Sequence, residues 1–115
     1  MNAQTFLDYT ARFDGLMQDL PSATGDRLDV FENPPQSDAK LRRWLLRYVN
    51  MCSEEYSLWD SRMLAKRVWK IWEKEIVASL SSPLVRQEWL WLGPHYDSFP
   101  EFKSWIEALH KESRR

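Results

Sequence analysis

The chain has 115 residues, 43% hydrophobic and 29% charged, which fits one globular domain and excludes wholesale disorder. Seven tryptophans against three glycines point to packed helices, and a single cysteine, Cys52, excludes an intramolecular disulfide. The net charge of −1 argues against strong non-specific polyanion binding, but it is unevenly divided: residues 1–38 carry −5 and residues 39–115 carry +4.

No apolar run approaches the ~18 residues that span a bilayer. The start, "MNAQTFLDYTARFDGL", lacks a basic segment followed by an apolar block. A cytoplasmic protein without a secretion signal or membrane insertion is expected.

Phe6, Tyr9, Phe13, Leu16 and Leu20 recur three or four residues apart, which predicts a first helix ended by Pro21. "PSATGDRLDVFENPPQSD" follows, rich in turn formers, with Leu28, Val30 and Phe31 as a small apolar patch. It reads as an ordered loop of roughly 15 residues or more, a length often tied to function or mobility.

A second helix is expected from a Ser37 or Asp38 cap to about Asp60. On a wheel of about 100° per residue, Leu41, Leu45, Cys52 and Trp59 share one stripe, flanked by Tyr48, Val49 and Tyr56. Cys52 sits mid-stripe, where burial raises a thiol's pKa and opposes a nucleophilic role. Glu54 falls with Arg43, Arg47 and Asn50 on the polar side. Glu55 falls between Trp44 and Tyr48, at the border of the apolar face. A carboxylate there needs a cation or hydrogen bonds. Arg62, Arg67 and Arg86 are the candidate partners, and a ligand or partner contact is the alternative.

The third helix is expected from a Ser61 cap to about Leu80. Leu64, Val68, Trp69, Ile71, Trp72, Ile76 and Leu80 cover nearly half its circumference, which marks it as the central helix. Lys66, Arg67, Lys70 and Lys74 gather on the opposite face. The lysines follow one another at i, i+4 and repel mildly. Asp8, Asp14, Asp19, Asp26 and Asp29 are the nearest compensating acids; the alternative is a phosphate track extended by Arg42, Arg43 and Arg47. Glu75 falls inside the apolar arc as a buried or boundary acid. It should pair with an arginine from a neighbouring helix, or serve a function.

"SSPLVRQEWLWLGP" encodes a fourth helix with Ser82 as cap, Pro83 at the first position and Gly93-Pro94 as the stop. Val85, Trp89 and Leu92 share one face. Leu90 and Trp91 turn away from it by about 150° and about 100°. One neighbour cannot bury both sets. Either the helix is sandwiched, or Leu90 and Trp91 join His95, Tyr96 and Phe99 in an exposed aromatic surface suited to a protein partner.

The last helix opens with Ser98-x-x-Glu101, the spacing of a capping box, and its stripe is Phe102, Trp105, Ile106 and Leu109. Glu107 and His110 have the Glu-x-x-His spacing of a metal pair, but a second pair is missing and His95 lies in a turn. There is no phosphate-cradling glycine loop, no Cys/His zinc pattern and no nucleophile–base arrangement. No catalytic residue, metal or cofactor is therefore assigned.

"RYVNMCSEEYSLW", "VWKIWEKEIVASLSSPLVRQEW" and "FPEFKSWIE" resemble a family of small bacterial helical proteins catalogued as a domain of unknown function. The shared motifs are Asn-x-Cys-Ser-Glu-Glu-Tyr, Trp-x-x-Trp-Glu and Ser-Pro-x-x-Arg-x-x-Trp, over roughly residues 47–107. "WDSRML" stands where that family has a Gly-containing turn. The resemblance implies a helical fold and carries no catalytic residues.

The expected fold is all-α, a compact bundle of about five helices with a long ordered loop between the first and second. It is read as one domain over 1–115, with an N-terminal helix and loop (1–36) and a helical core (37–112). The leading functional expectation is a non-catalytic interaction module that binds a protein partner or itself through Leu90, Trp91, His95 and Tyr96. A nucleic-acid binder using Lys66, Arg67, Lys70 and Lys74 is the second. An enzyme or metal protein around Glu55, Glu75 and His110 is the third.

Overall fold

A computed structural model describes residues 3–20 and 27–113. Over them the chain forms α1 (Ala3–Gln18), α2 (Arg27–Glu32), α3 (Ala39–Asp60), α4 (Lys66–Leu80), α5 (Pro83–Leu92), a 3₁₀ turn (Gly93–Tyr96) and α6 (Pro100–Ser113). No strand occurs among the described residues, and the fold is all-α.

Helix α3 is the spine. Asp38 caps it, its Oδ1 accepting the Leu41 N–H at 2.7 Å, an arrangement worth about 1 kcal/mol. No glycine or proline interrupts the next 22 residues. The buried stripe Leu41, Leu45, Tyr48 and Cys52 recurs at helical spacing, and Cys52 is wholly enclosed. Helix α1 lies across α3, where the Trp44 Nε1–H donates to the Leu16 carbonyl at 2.8 Å. Two ion pairs fasten the same contact, Arg12–Glu54 at 2.7 Å and Arg47–Asp19 at 3.2 Å. Against α4, α1 places Phe6 and Tyr9 on Trp72, with ring centroids 6.1 and 5.6 Å apart.

The segment expected to be a loop is partly helical. Residues 21–26, including the Pro21 stop, lie outside the described residues, but α2 follows them. Its Val30 and Phe31 enter the core, Phe31 packing on Trp44 and Tyr48. Six residues are too few for periodicity to show; burial of two large side chains forms the turn.

The α3–α4 joint also differs from the expected one. Ser61 does not cap α4; it ends α3, and α4 starts at Lys66 behind Ala65, without a side-chain cap. Arg62 adopts a left-handed φ of 61°. Its N–H donates to the Trp59 carbonyl and the Met63 N–H to the Leu58 carbonyl, the paired bonds of a Schellman ending. Arg62 occupies the place glycine usually takes.

Ser82 starts α5 as its spacing predicts: its Oγ accepts the Val85 N–H and donates to the Ser79 carbonyl. At Gly93 the backbone passes against the Trp89 indole. A Cβ there would meet the ring at 3.2 Å, so the position favours glycine. The capping box at Ser98 is not the start of α6. That helix begins with Pro100 at its first position, and the Phe99 carbonyl accepts the Lys103 N–H. Phe102, Ile106 and His110 form its inward stripe.

Rings unite the α3–α4–α6 interior. Trp59 and Trp69 stack at 5.5 Å, Tyr56 and Trp105 at 5.0 Å, and Phe102 lies 5.4 Å from Tyr96. No described helix is long and apolar enough to cross a membrane.

Candidate functional site

The outer side of α5 carries the residues singled out for a partner, and the fold separates them. Leu84, Val85 and Leu92 point inward and are fully buried. Leu90 points the opposite way and is 96% exposed. Trp91 is half-buried and His95 exposed; their rings lie 4.7 Å apart, and His95 Nδ1 reaches the Trp91 carbonyl at 3.2 Å. Tyr96 does not belong to this surface. It is 2% exposed, because the 3₁₀ turn rotates it into the core, where its hydroxyl donates to Asn50 Oδ1 at 2.9 Å. Burial pushes its phenol above the ordinary range.

Trp91 is half-covered by Arg42, whose guanidinium lies over the ring at 5.1 Å. Arg42 is itself oriented by Glu88. That carboxylate is 1% exposed, accepts Arg42 Nε at 2.7 Å, and also accepts Ser37 Oγ and Gln87 Nε2. Burial alone would raise the Glu88 carboxyl, but the hydrogen bonds from Arg42, Gln87 and Ser37 hold it below the usual range. Sequence reasoning passed over Glu88. Its signal was available: Leu84, Glu88 and Leu92 follow at i, i+4 and i+8, placing an acid in the middle of the inward stripe.

The result is a stack of buried Glu88, Arg42, Trp91 and His95. Arg42 spends only its Nε on Glu88; among the described residues its Nη atoms make no hydrogen bond. Arg42, Arg43 and Trp91 line a shallow surface pocket of about 500 Å³ at the N-terminus of α3. Arg43 and Lys40 beside it are exposed and unpaired among the described residues.

The basic face of α4 is open. Lys66, Arg67, Lys70 and Lys74 are all exposed and carry no ion pair among the described residues. Of the acids expected to cover it, Asp8 bonds to Gln4, Asp19 to Arg47 and Asp29 to Asn33, while Asp14 is exposed and forms no ion pair with this face among the described residues. Asp26 lies outside the described residues.

Glu55 and Glu75 line a cavity of about 270 Å³ between α1, α3 and α4. Glu55 is buried at 7% exposure. None of Arg62, Arg67 or Arg86 partners it; the cation that acts on it is Arg12 of α1, an influence that α3 periodicity cannot reveal. Glu75 is exposed while also lining this cavity. His110 stands apart from both. Its Nε2 lies 2.8 Å from the Leu80 carbonyl, its ring packs edge-on against Trp89, and Glu107 accepts the Trp89 Nε1–H. Among the described residues no group of three His, Cys, Asp or Glu side chains converges to hold a metal ion.

No family model, curated protein or solved structure matches this chain. Any functional reading therefore stands on its own geometry.

Proposed function

We propose that this chain is a non-catalytic docking module, and that the outer side of α5 receives a segment of another protein. The segment presents a carboxylate beside a bulky apolar side chain. The observation that carries this reading is the stack in which buried Glu88 fixes Arg42 over Trp91, next to the fully exposed Leu90. A guanidinium held in place loses little entropy when it receives an acid. Lys40 and Arg43 add positive charge on the same rim, and Leu90 and Trp91 supply the apolar anchor.

Peptide display against the intact chain tests this reading. Enrichment of acidic–apolar peptides, with binding abolished by Leu90→Asp and by Trp91→Ala, supports it. Three outcomes overturn it: enrichment indifferent to charge, self-association that occupies the same face in sedimentation, or oligonucleotide binding that competes with the peptides and requires Lys66, Lys70 and Lys74. The last outcome would move the site to α4, where exposed and unpaired cations favour a polyanion as the second reading.

A further inference from the structure

We propose that the cavity between α1, α3 and α4 binds a small organic ammonium ion, its charge on Glu55 and its apolar body between Tyr9, Phe13 and Trp72. This site is separate from the α5 surface and does not depend on it.

The volume of about 270 Å³ lies near the lower end of small-molecule pockets, about 300 Å³. Its apolar lining is Tyr9, Phe13, Tyr48 and Trp72 together with Met51, Ile71 and Ile76, and Tyr9 packs on Trp72 at 5.6 Å. Aromatic faces attract cations and repel anions. Glu55 lines this space at 7% exposure and makes no hydrogen bond or ion pair among the described residues.

The charges around it come from three helices. Helix α1 contributes the neutral phenol of Tyr9 and the charge of Arg12, α3 contributes Tyr48 and Glu54, and α4 contributes Glu75. Arg12 is already committed to Glu54 through two hydrogen bonds of 3.0 and 2.7 Å. Glu55 therefore lacks a cation of its own. Burial pushes its carboxyl up to about 7; Arg12 opposes the rise, and Glu54 and Glu75 add to it. A buried carboxyl in a partly aromatic cavity, with Glu75 on the same lining, suits an ammonium ion. It suits neither an anion, which the acids repel, nor a metal ion, since no third donor converges. Seating the ligand ionises Glu55, so below about pH 7 complex formation releases a proton.

The test is calorimetric and NMR titration of the full chain with butylammonium, benzylammonium and tetramethylammonium, with benzyl alcohol and benzoate as controls. The expected result is saturable binding of at least one ammonium ion that shifts the Tyr9 and Trp72 resonances. The alcohol and benzoate should bind about tenfold more weakly or worse. At pH 6, heats should vary with buffer ionisation enthalpy as a proton leaves. Glu55→Gln should lower ammonium affinity about tenfold or more, and Ile71→Trp, at the exposed mouth, should block entry. Equal affinity for ammonium and alcohol, retention of ammonium binding by a folded Glu55→Gln variant, or no saturable binding of any of the three cations overturns the proposal.

Discussion

The Arg42 guanidinium lies 5.1 Å from the centre of the Trp91 ring, and it stays there because its Nε donates to buried Glu88. One carboxylate thus ties Ser37 and the N-terminal turns of α3 to the inner face of α5, with its neighbour Gln87 donating to it as well. Replacing Glu88 by Ala should destabilise the fold by about 2 kcal/mol in urea titrations, since Arg42 is exposed enough to rehydrate. The Glu88 carboxyl titrates below its unfolded value, so its contribution is present above the ordinary carboxylate range and is lost as pH falls through the lowered value. Glu88→Gln should flatten that acid limb. An unchanged limb would show that Glu88 is not the organising group.

Arg62 holds a left-handed conformation at the end of α3. A side chain there costs about 1 kcal/mol relative to glycine. Arg62→Gly should therefore raise stability by roughly 1 kcal/mol, while Arg62→Ala should change it little. Thermal unfolding of the two variants checks this. Loss of stability in the glycine variant would mean that the guanidinium, and not the backbone, matters at this joint.

Glu55 predicts the opposite pH behaviour to Glu88. Its folded pKa is raised from 4.5 to about 7, so the folded chain binds the extra proton and stability declines as pH rises between those values. Glu55→Gln should remove that decline and leave the protein more stable at pH 8, by up to roughly 3 kcal/mol. Denaturation midpoints at pH 5 and pH 8 for both proteins give the answer.

Trp44 joins α3 to α1 through the Leu16 carbonyl. Trp44→Phe removes the N–H and part of the buried ring and orphans that carbonyl, which should cost about 2 kcal/mol or more. Amide exchange in α1 should rise more than in α6 if the bond anchors α1 in particular.

Much of the fold is legible where side chains recur at helical spacing. The Leu41–Leu45–Cys52 stripe, the Asp38 cap and the Ser82-Pro83 start are local signals, and the helices follow them. The wheel sets Leu90 opposite Val85 and Leu92, but it leaves open whether a second neighbour covers it; the fold leaves it exposed. Tyr96 is not legible: its place soon after Leu90 and Trp91 in the chain groups it with them, and the 3₁₀ turn carries it inward. The left-handed Arg62 and the six-residue α2 leave no periodic trace. The Arg42–Glu88 and Arg12–Glu54 pairs join residues more than 40 positions apart, and only packing determines such partners. The helix face places Glu75 at or inside the apolar arc, yet it is exposed in the fold.

The central claim is that an apolar anchor docks on Leu90 beside the fixed guanidinium. A double-mutant cycle addresses it most directly, pairing Leu90→Ala with an alanine substitution at the apolar position of a selected acidic peptide. Leu90 is solvent-exposed, so its truncation leaves the fold intact. The expected coupling is about 1 kcal/mol or more, with the peptide carboxylate still required. Additive effects with zero coupling would contradict the assignment of this face.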